Sequence, residues 1–522
     1  MKNSHFRLAA FLWFTAFFFI YPVRVSCQSV QGDKKPVVDA HLRKRLVEQI
    51  IRELKAKYVA PEKVKEIESQ LRKRLQSGVY DKIDNAREMA SSLTDDLRAA
   101  GKDLHLFVAY DPDLERALLA TPSTPSVDLK ELPPTAERLA GLRNSNYNFR
   151  KVEIMRGNVG YLELRSFVDL TYSKETAVAS MSFLANTDAI IIDLRKNPGG
   201  FINLEIFLAS YFYAAEPVEW LSRYHHDTNV TVKDWTLREV PGKRVPDVDL
   251  YILTSGETGS AAEGFSFMLQ QRKRATIIGE KTSGAGYGNK EMPIGDGFVF
   301  FLSIFRQFDP RTGRGWQEVG VEPDIVVKAE RALSVAHTEA VKNLSAKSTD
   351  AHRRQQLSWL ATLLELEAYG PKQISSSLLE SYAGKYDQGK IEISLEQGQL
   401  YFLGASGVRR PLQALSDDSF LIVDASVPPE NQARVRFVKN AEGIVTELRL
   451  MVADGRTFPR AKVQESKESG AIRKLIDDFV SADWQRIHPA ESALESLQAE
   501  SLPALVKLLD RDERVELHNT WI

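Results

Sequence analysis

The sequence predicts an α/β protein: a helical N-terminal region, an α/β core on a largely parallel sheet, a small antiparallel β-domain and a helical C-terminal tail. Three observations carry that prediction. Apolar residues Val47, Ile50, Ile51, Leu54 and Tyr58 recur at helical spacing, and Ile67, Leu71 and Leu75 repeat it. From residue 158 onward, buried-strand runs alternate with helical segments, the pattern of a parallel sheet covered by helices. Between residues 380 and 462, brief strand-like runs are separated by turn signals such as Asp387-Gln388-Gly389 and Ala453-Asp454-Gly455.

Taken in order, residues 1–27 read as an export signal. Lys2 and Arg7 supply a basic start, residues 8–21 are apolar, and small residues precede Gln28, with cleavage expected near Ser26 or Cys27. The apolar run is too short to cross a bilayer, which takes about 20 residues. Cleavage after Cys27 removes the only cysteine and leaves a chain held by core packing alone. Cleavage before it leaves a lipid attachment point, a route that Arg24 disfavours; simple secretion or periplasmic export is the expectation.

Residues 35–135 form the helical N-terminal region. One of its helices starts near residue 86 with Asp84 and Asn85 as N-cap candidates and ends near Gly101, ahead of a short strand over residues 104–110. Pro-rich residues 121–134 mark a connector. The core occupies residues 146–330, with strands over 159–164, 189–194, 250–254 and 276–279 and helices over 173–184, 203–213 and 261–271. A helical connector over 331–372, a β-rich domain over 378–463 and a helical region over 466–522 complete the chain, the last with one faint HEAT-type helix pair at 492–509. With 69 basic and 70 acidic residues the net charge is −1, so nothing in the overall balance draws the protein to nucleic acid.

Three segments can carry chemistry. In Leu253-Thr254-Ser255-Gly256-Glu257-Thr258-Gly259-Ser260-Ala261-Ala262-Glu263 a buried strand runs into a tight turn, and Ser260 stands at the start of a helix. That position exposes a hydroxyl and aims N–H groups and the positive helix end at the oxygen beside it. The same residues also fit a plain N-cap with Glu263 completing a capping box. In Asp193-Leu194-Arg195-Lys196-Asn197-Pro198-Gly199-Gly200, a strand ends in two glycines that permit close backbone approach, at the end of a sheet strand where α/β proteins bind ligands. In Asp103-Leu104-His105, a histidine opens a strand and offers a base of near-neutral pKa to a serine nucleophile. His225 and His226 precede Asp227, but neighbours on a strand point to opposite faces, and no metal site or cofactor is expected.

In this order, D-x-H, D-L-R-x-N-P-G-G and S-A-A-E are followed by Gly279-Glu280-Lys281-Thr282-Ser283-Gly284-Ala285-Gly286 and Gly320-Val321-Glu322-Pro323-Asp324. Over roughly residues 37–330 the set resembles the tail-specific (C-terminal processing) serine peptidases, and most closely the branch named for interphotoreceptor retinoid-binding protein, which is related to the tricorn core. The resemblance implies a crotonase/ClpP-like α/β peptidase core acting on peptide or protein substrates. It implies Ser260 as nucleophile and an oxyanion hole from the Gly199-Gly200 turn and the Ala261 N–H. The processing proteases place a dyad lysine where this chain has Ala285; Lys281 and Lys290 stand off that position, so His105, matching the tricorn-like histidine, is the expected base. A PDZ module does not fit within residues 107–157, and the partner of the β-rich domain is unassigned.

Two departures matter. Leu104 stands where the tricorn-like branch has a polar residue, and Gln317 stands where it has a glutamate, with Glu318 adjacent. The group orienting His105 is therefore left among Gln317, Glu318 and Asp103. Because the namesake of the branch binds retinoids and fatty acids, a catalytically silent module that binds a hydrophobic small molecule or peptide is the second reading. A structural scaffold at the cell surface is the third.

Overall fold

The computed structural model describes residues 37–120 and 133–463. The expected signal with Cys27, most of the 121–134 connector and the 466–522 region lie outside the described residues.

The helical lobe is built from α1 (Ala40–Lys57), α2 (Val64–Gln76) and α3 (Ala86–Gly101). Asn85, not Asp84, caps α3, its side chain accepting the Glu88 N–H at 2.8 Å. The apolar stripes converge, burying Leu46, Ile50, Ile67, Leu71, Leu93 and Leu97 in one core. The strand that follows, β1 (Phe107–Tyr110), starts at Phe107 rather than at residue 104. Asp103 accepts the His105 N–H at 2.9 Å and folds residues 103–106 into a turn, so His105 precedes the strand instead of opening it. Two helices not anticipated from sequence come next, α4 (Pro112–Ala120) and α5 (Ala136–Asn144).

The core then runs through β2 (Phe149–Met155), β3 (Val159–Leu164), α6 (Leu170–Leu184), β4 (Ala189–Asp193) and α7 (Ile202–Ser210). It continues with β5 (Glu219–His225), β6 (Val230–Trp235), β7 (Asp249–Thr254), α8 (Ala261–Gln271) and β8 (Thr276–Gly279). A hairpin of β9 (Tyr287–Gly295) and β10 (Phe298–Phe308) and the short β11 (Ile325–Val326) close it. Among the described residues one sheet has the order β11-β8-β7-β4-β3-β2, parallel throughout except for β2. All of β4 is buried because its faces pack on different layers. Ile190 and Ile192 meet α6, α7 and α8, while Ile191 meets α9 (Ala329–Lys347) and α10 (Ala351–Tyr369).

A second, antiparallel sheet corrects the expectation of a single parallel one. Strand β10 pairs with β9, with β1 near its start and with β5 near its end, and β6 extends it beyond β5. Both faces of β10 are covered: Phe298, Phe300 and Leu302 enter the helical-lobe core while Val299 is fully buried on the other side. A strand buried on both faces loses the alternation that marks antiparallel pairing, which is why the sequence hid it.

Beyond α11 (Ser376–Tyr382) lies a meander of β12 (Gly384–Tyr386), β13 (Ile391–Glu396), β14 (Gln399–Leu403) and β15 (Arg409–Ala414). It goes on through β16 (Ser419–Ile422), β17 (Arg434–Lys439), β18 (Val445–Met451) and β19 (Thr457–Ala461), each strand antiparallel to the last. A bridge from Tyr386 to Lys462 and a Val463 N–H to Lys385 carbonyl bond at 2.8 Å join its end to its beginning. Inside, Tyr382 stacks on Phe437 with ring centres 4.1 Å apart. Among the described residues no helix is long and apolar enough to cross a membrane.

Because Leu302 is fully buried between β10 and the helical lobe, Leu302→Ala is expected to cost about 2–5 kcal/mol, seen as a lower denaturation midpoint. Val326→Ala, at a residue 69% exposed, should change stability by no more than about 0.5 kcal/mol. Equal midpoints for the two variants would contradict the role given to β10.

Candidate active site

Strand β7 ends at Thr254, and the turn that follows is fastened to the end of β4. Ser255 Oγ donates to the Arg195 carbonyl, and Thr258 Oγ1 donates to the Leu194 carbonyl at 2.8 Å. The turn delivers Ser260 at φ 50° and ψ −122°, a region that side chains other than glycine rarely occupy, at a cost of about 1–3 kcal/mol. Two bonds hold it there: its N–H reaches Glu263 Oε2 at 2.9 Å, and its carbonyl accepts the Gly264 N–H at 2.9 Å. Its Oγ lies 3.0 Å from His105 Nε2.

Glu263 is the hub of this region. Its fully buried carboxylate accepts the N–H groups of Ser260, Gly284 (2.7 Å) and Ala285 (2.8 Å) and the hydroxyls of Thr282 (2.6 Å) and Ser283 (3.2 Å). Burial raises its pKa, and these donors work against that rise. Sequence reading placed Glu263 only in a helix cap; its reach to residues 282–285 needed the folded chain.

Asn197 organises the other wall. Fully buried, it donates from Nδ2 to the Leu164 carbonyl at 3.0 Å and accepts the Gly199 N–H on Oδ1 at 2.9 Å, while its carbonyl takes the Gly259 N–H. Gly199 (φ 108°) sits so close to the Ser260 turn that a Cβ would lie 2.6 Å from Ser260 Cβ, and one on Gly200 (φ 138°) would lie 2.1 Å from the Phe167 carbonyl oxygen. Both positions require glycine. The expected oxyanion pair is thereby narrowed. The Gly199 N–H is occupied by Asn197, whereas those of Gly200 and Ala261 meet no acceptor among the described residues.

His105 comes from the helical lobe. Its backbone N–H bonds Asp103, whose other oxygen accepts Tyr58 OH at 3.2 Å, and its carbonyl accepts Asn289 Nδ2 at 3.3 Å. Burial lowers the pKa of the imidazole, Asp103 opposes that and Arg98 adds to it. Nδ1 is buried without a hydrogen-bond partner.

None of the three groups left open for orienting the ring, Gln317, Glu318 and Asp103, is hydrogen-bonded to that nitrogen. Gln317 Oε1 is taken by the Gly286 N–H at 2.7 Å and the Tyr287 N–H at 3.0 Å, and its Nε2 faces the Lys102 carbonyl. Glu318, at φ 64°, turns outward to pair with Lys63. Ala285 is buried, its carbonyl accepting Trp316 Nε1, and Lys281 pairs with Glu322 on the surface. His225 is buried against Phe305.

Behind this constellation, on α7, Glu205 is fully buried with Oε1 on Trp220 Nε1 at 2.8 Å, and burial pushes its pKa up to about 8.

Residues 158–327 match the family described as Peptidase family S41, and residues 40–154 match the N-terminal domain of Peptidase S41 in eukaryotic IRBP. The chain is 30% identical over 179 residues to a carboxy-terminal-processing protease of Bartonella bacilliformis, a match covering 33% of this chain and 40% of that protein. It is 28% identical over 213 residues to a carboxyl-terminal-processing protease of a Synechocystis species, covering 39% and 48% respectively. The chain thus spans less than half the length of these relatives. Among solved structures it is similar to a lipoprotein from Streptococcus agalactiae, with 14% identity, a TM-score of 0.39 and coverage of 60% of this chain and 99% of that one.

Two outcomes follow from this geometry. Gly199→Ala should displace the Ser260 turn and lower stability, seen as a reduced denaturation midpoint and a slower reaction with an organophosphorus probe if Ser260 is reactive. Unchanged reaction kinetics would contradict the close approach. For Glu205, a folded-state pKa raised to about 8 from an ordinary 4.5 means that its contribution is fully present below the ordinary value. That contribution is lost as pH rises through the raised one, by an amount on the order of a few kcal/mol. Stability should therefore fall between pH 5 and pH 9 in the wild type and fall less in Glu205→Gln; parallel pH curves would refute the assignment.

Proposed function

We propose that this chain, whose residues 40–154 and 158–327 belong to the peptidase S41 family, is a serine peptidase that hydrolyses peptide bonds through an acyl-enzyme on Ser260. The observation that carries the reading is the 3.0 Å contact between His105 Nε2 and Ser260 Oγ, groups supplied by different lobes. In this reading His105 takes the hydroxyl proton as Oγ attacks the scissile carbonyl, and the oxyanion that forms is met by the Gly200 N–H in the turn after β4 and the Ala261 N–H at the start of α8. The imidazolium then returns the proton to the leaving amine, and water, deprotonated by the same histidine, releases the acid product.

The helical region (35–135) supplies the base and the α/β core (146–330) supplies the nucleophile and oxyanion donors. The β-rich domain at 378–463 is an accessory to them, and residues 1–27 direct export, with lipid attachment at Cys27 the less favoured alternative. Substrates are peptides or proteins.

A fluorophosphonate probe should label the wild type and fail on Ser260→Ala. Ser260→Ala and His105→Ala should each lower peptide turnover by about 10⁴-fold or more. Because burial holds the His105 pKa below its ordinary value of 6.5, the acid limb of kcat/KM should lie under that value. A folded wild type that stays unlabelled while binding a hydrophobic ligand would replace this reading with that of a silent binding module.

A further inference from the structure

We infer that His105 is positioned through its main chain, with Asp103 holding its N–H and Asn289, from a different strand, holding its carbonyl. The inference rests on reading His105 as the base.

The turn that carries His105 lies outside the sheet. Pairing of β1 with β10 ends at Phe107 and Phe301, and the preceding residues are fastened by side chains instead. Lys63 Nζ donates to the Gly101 carbonyl at 2.9 Å, Gln317 Nε2 to the Lys102 carbonyl at 3.4 Å and Arg98 Nε to the Leu106 carbonyl at 3.2 Å. At His105 both main-chain groups are taken. Asp103 Oδ1 accepts its N–H at 2.9 Å, and Asn289 Nδ2 donates to its carbonyl at 3.3 Å. Asn289 belongs to β9, which pairs with residues 298–301 of β10 on the edge opposite β1, so its side chain spans β10 to reach the turn. The ring itself has no such hold, because Nδ1 is buried without a hydrogen-bond partner. Where Nε2 stands relative to Ser260 Oγ is thus set by where the backbone is held, and a misplacement of about 1 Å can cost about 10²-fold in rate.

Asp103 does more than close a turn. It is fully buried, and its second oxygen accepts the hydroxyl of Tyr58, also fully buried, at 3.2 Å. Burying a carboxylate is costly, and this one lies where its charge acts on the ring. Against burial, which lowers the imidazole pKa, Asp103 favours the protonated form that arises when His105 takes a proton, and Arg98 from α3 opposes it. The other ionisable groups beside Asp103 are Tyr58, after α1, and Tyr287, on β9; burial and the Asp103 charge raise both, Tyr287 to about 12, so both stay neutral. Asn289 is uncharged and places the ring without acting on its protonation.

The two positions therefore give different signatures in the full chain. Asn289 is only half-buried, so Asn289→Ala should fold. It should speed amide hydrogen exchange over residues 103–106, lower kcat about 10-fold with little change in KM, and leave the acid limb of kcat/KM in place. Asp103→Asn keeps an acceptor for the His105 N–H, so exchange there should stay slow while the acid limb moves to lower pH. Wild-type exchange and kcat in Asn289→Ala, or an unmoved acid limb in Asp103→Asn, would overturn the inference and leave the peptidase reading intact. If Asp103→Asn does not fold, Asn289→Ala decides alone. A wild type that no fluorophosphonate labels would overturn the peptidase reading instead, and the exchange measurement would still decide whether these side chains hold His105.

Discussion

Strand β10 is hydrogen-bonded to β1, β5 and β9, and through β1 it holds the segment of the helical lobe whose His105 reaches Ser260. The pairing of residues 107–110 with 298–301 sets where the chain just before β1 must lie, and that chain is the Asp103–His105 turn. Phe298, Phe300 and Leu302 then anchor the strand in the core formed by α1, α2 and α3. Each fully buried side chain of this size contributes about 1.5–3 kcal/mol. The contact across the lobes thus inherits its precision from backbone pairing and packing, which tolerate little sliding: a one-residue slip would turn Phe107 to the opposite face and displace the turn that carries His105.

On the serine side the constraint is strain held by a buried charge. Ser260 occupies a backbone conformation that costs free energy, and the Glu263 carboxylate offsets that cost by accepting its N–H together with four donors from residues 282–285. A buried carboxylate surrounded only by donors is stable because every lone pair is used, and bonds to a charged acceptor contribute roughly 1.5–3 kcal/mol each. Asn197 plays the matching part for the glycine turn, occupying the Gly199 N–H and leaving that of Gly200 open. Two buried polar side chains therefore decide which amides near Ser260 are left without an acceptor among the described residues.

The closed meander is attached through α10. The Arg434 guanidinium lies over the Trp359 ring at 3.6 Å and donates to its carbonyl, with burial lowering the arginine pKa to about 10. Its interior is filled by rings, Tyr382 against Phe437 and Phe420 edge-on to both. That filling makes it a packed unit resting on the layer behind the sheet.

Elements whose environment is uniform were legible in the chain itself. The parallel strands and α8 could be placed because fully buried runs bounded by turn residues have few alternatives, and β13, β14, β17 and β18 because half-exposed strands alternate. The ordered motifs around Ser260, Asn197 and His105 carried the expectation of serine chemistry, since a serine at a strand–helix turn and paired glycines are local devices. The β9–β10 hairpin escaped because two buried faces erase periodicity, and Gln317 and Glu318 were weighed for a role that their backbone partners and outward turn deny them. What the folded chain alone decided is which atoms meet: His105 and Ser260 are 155 positions apart, and no local pattern encodes a contact that exists only through the register of β1 on β10.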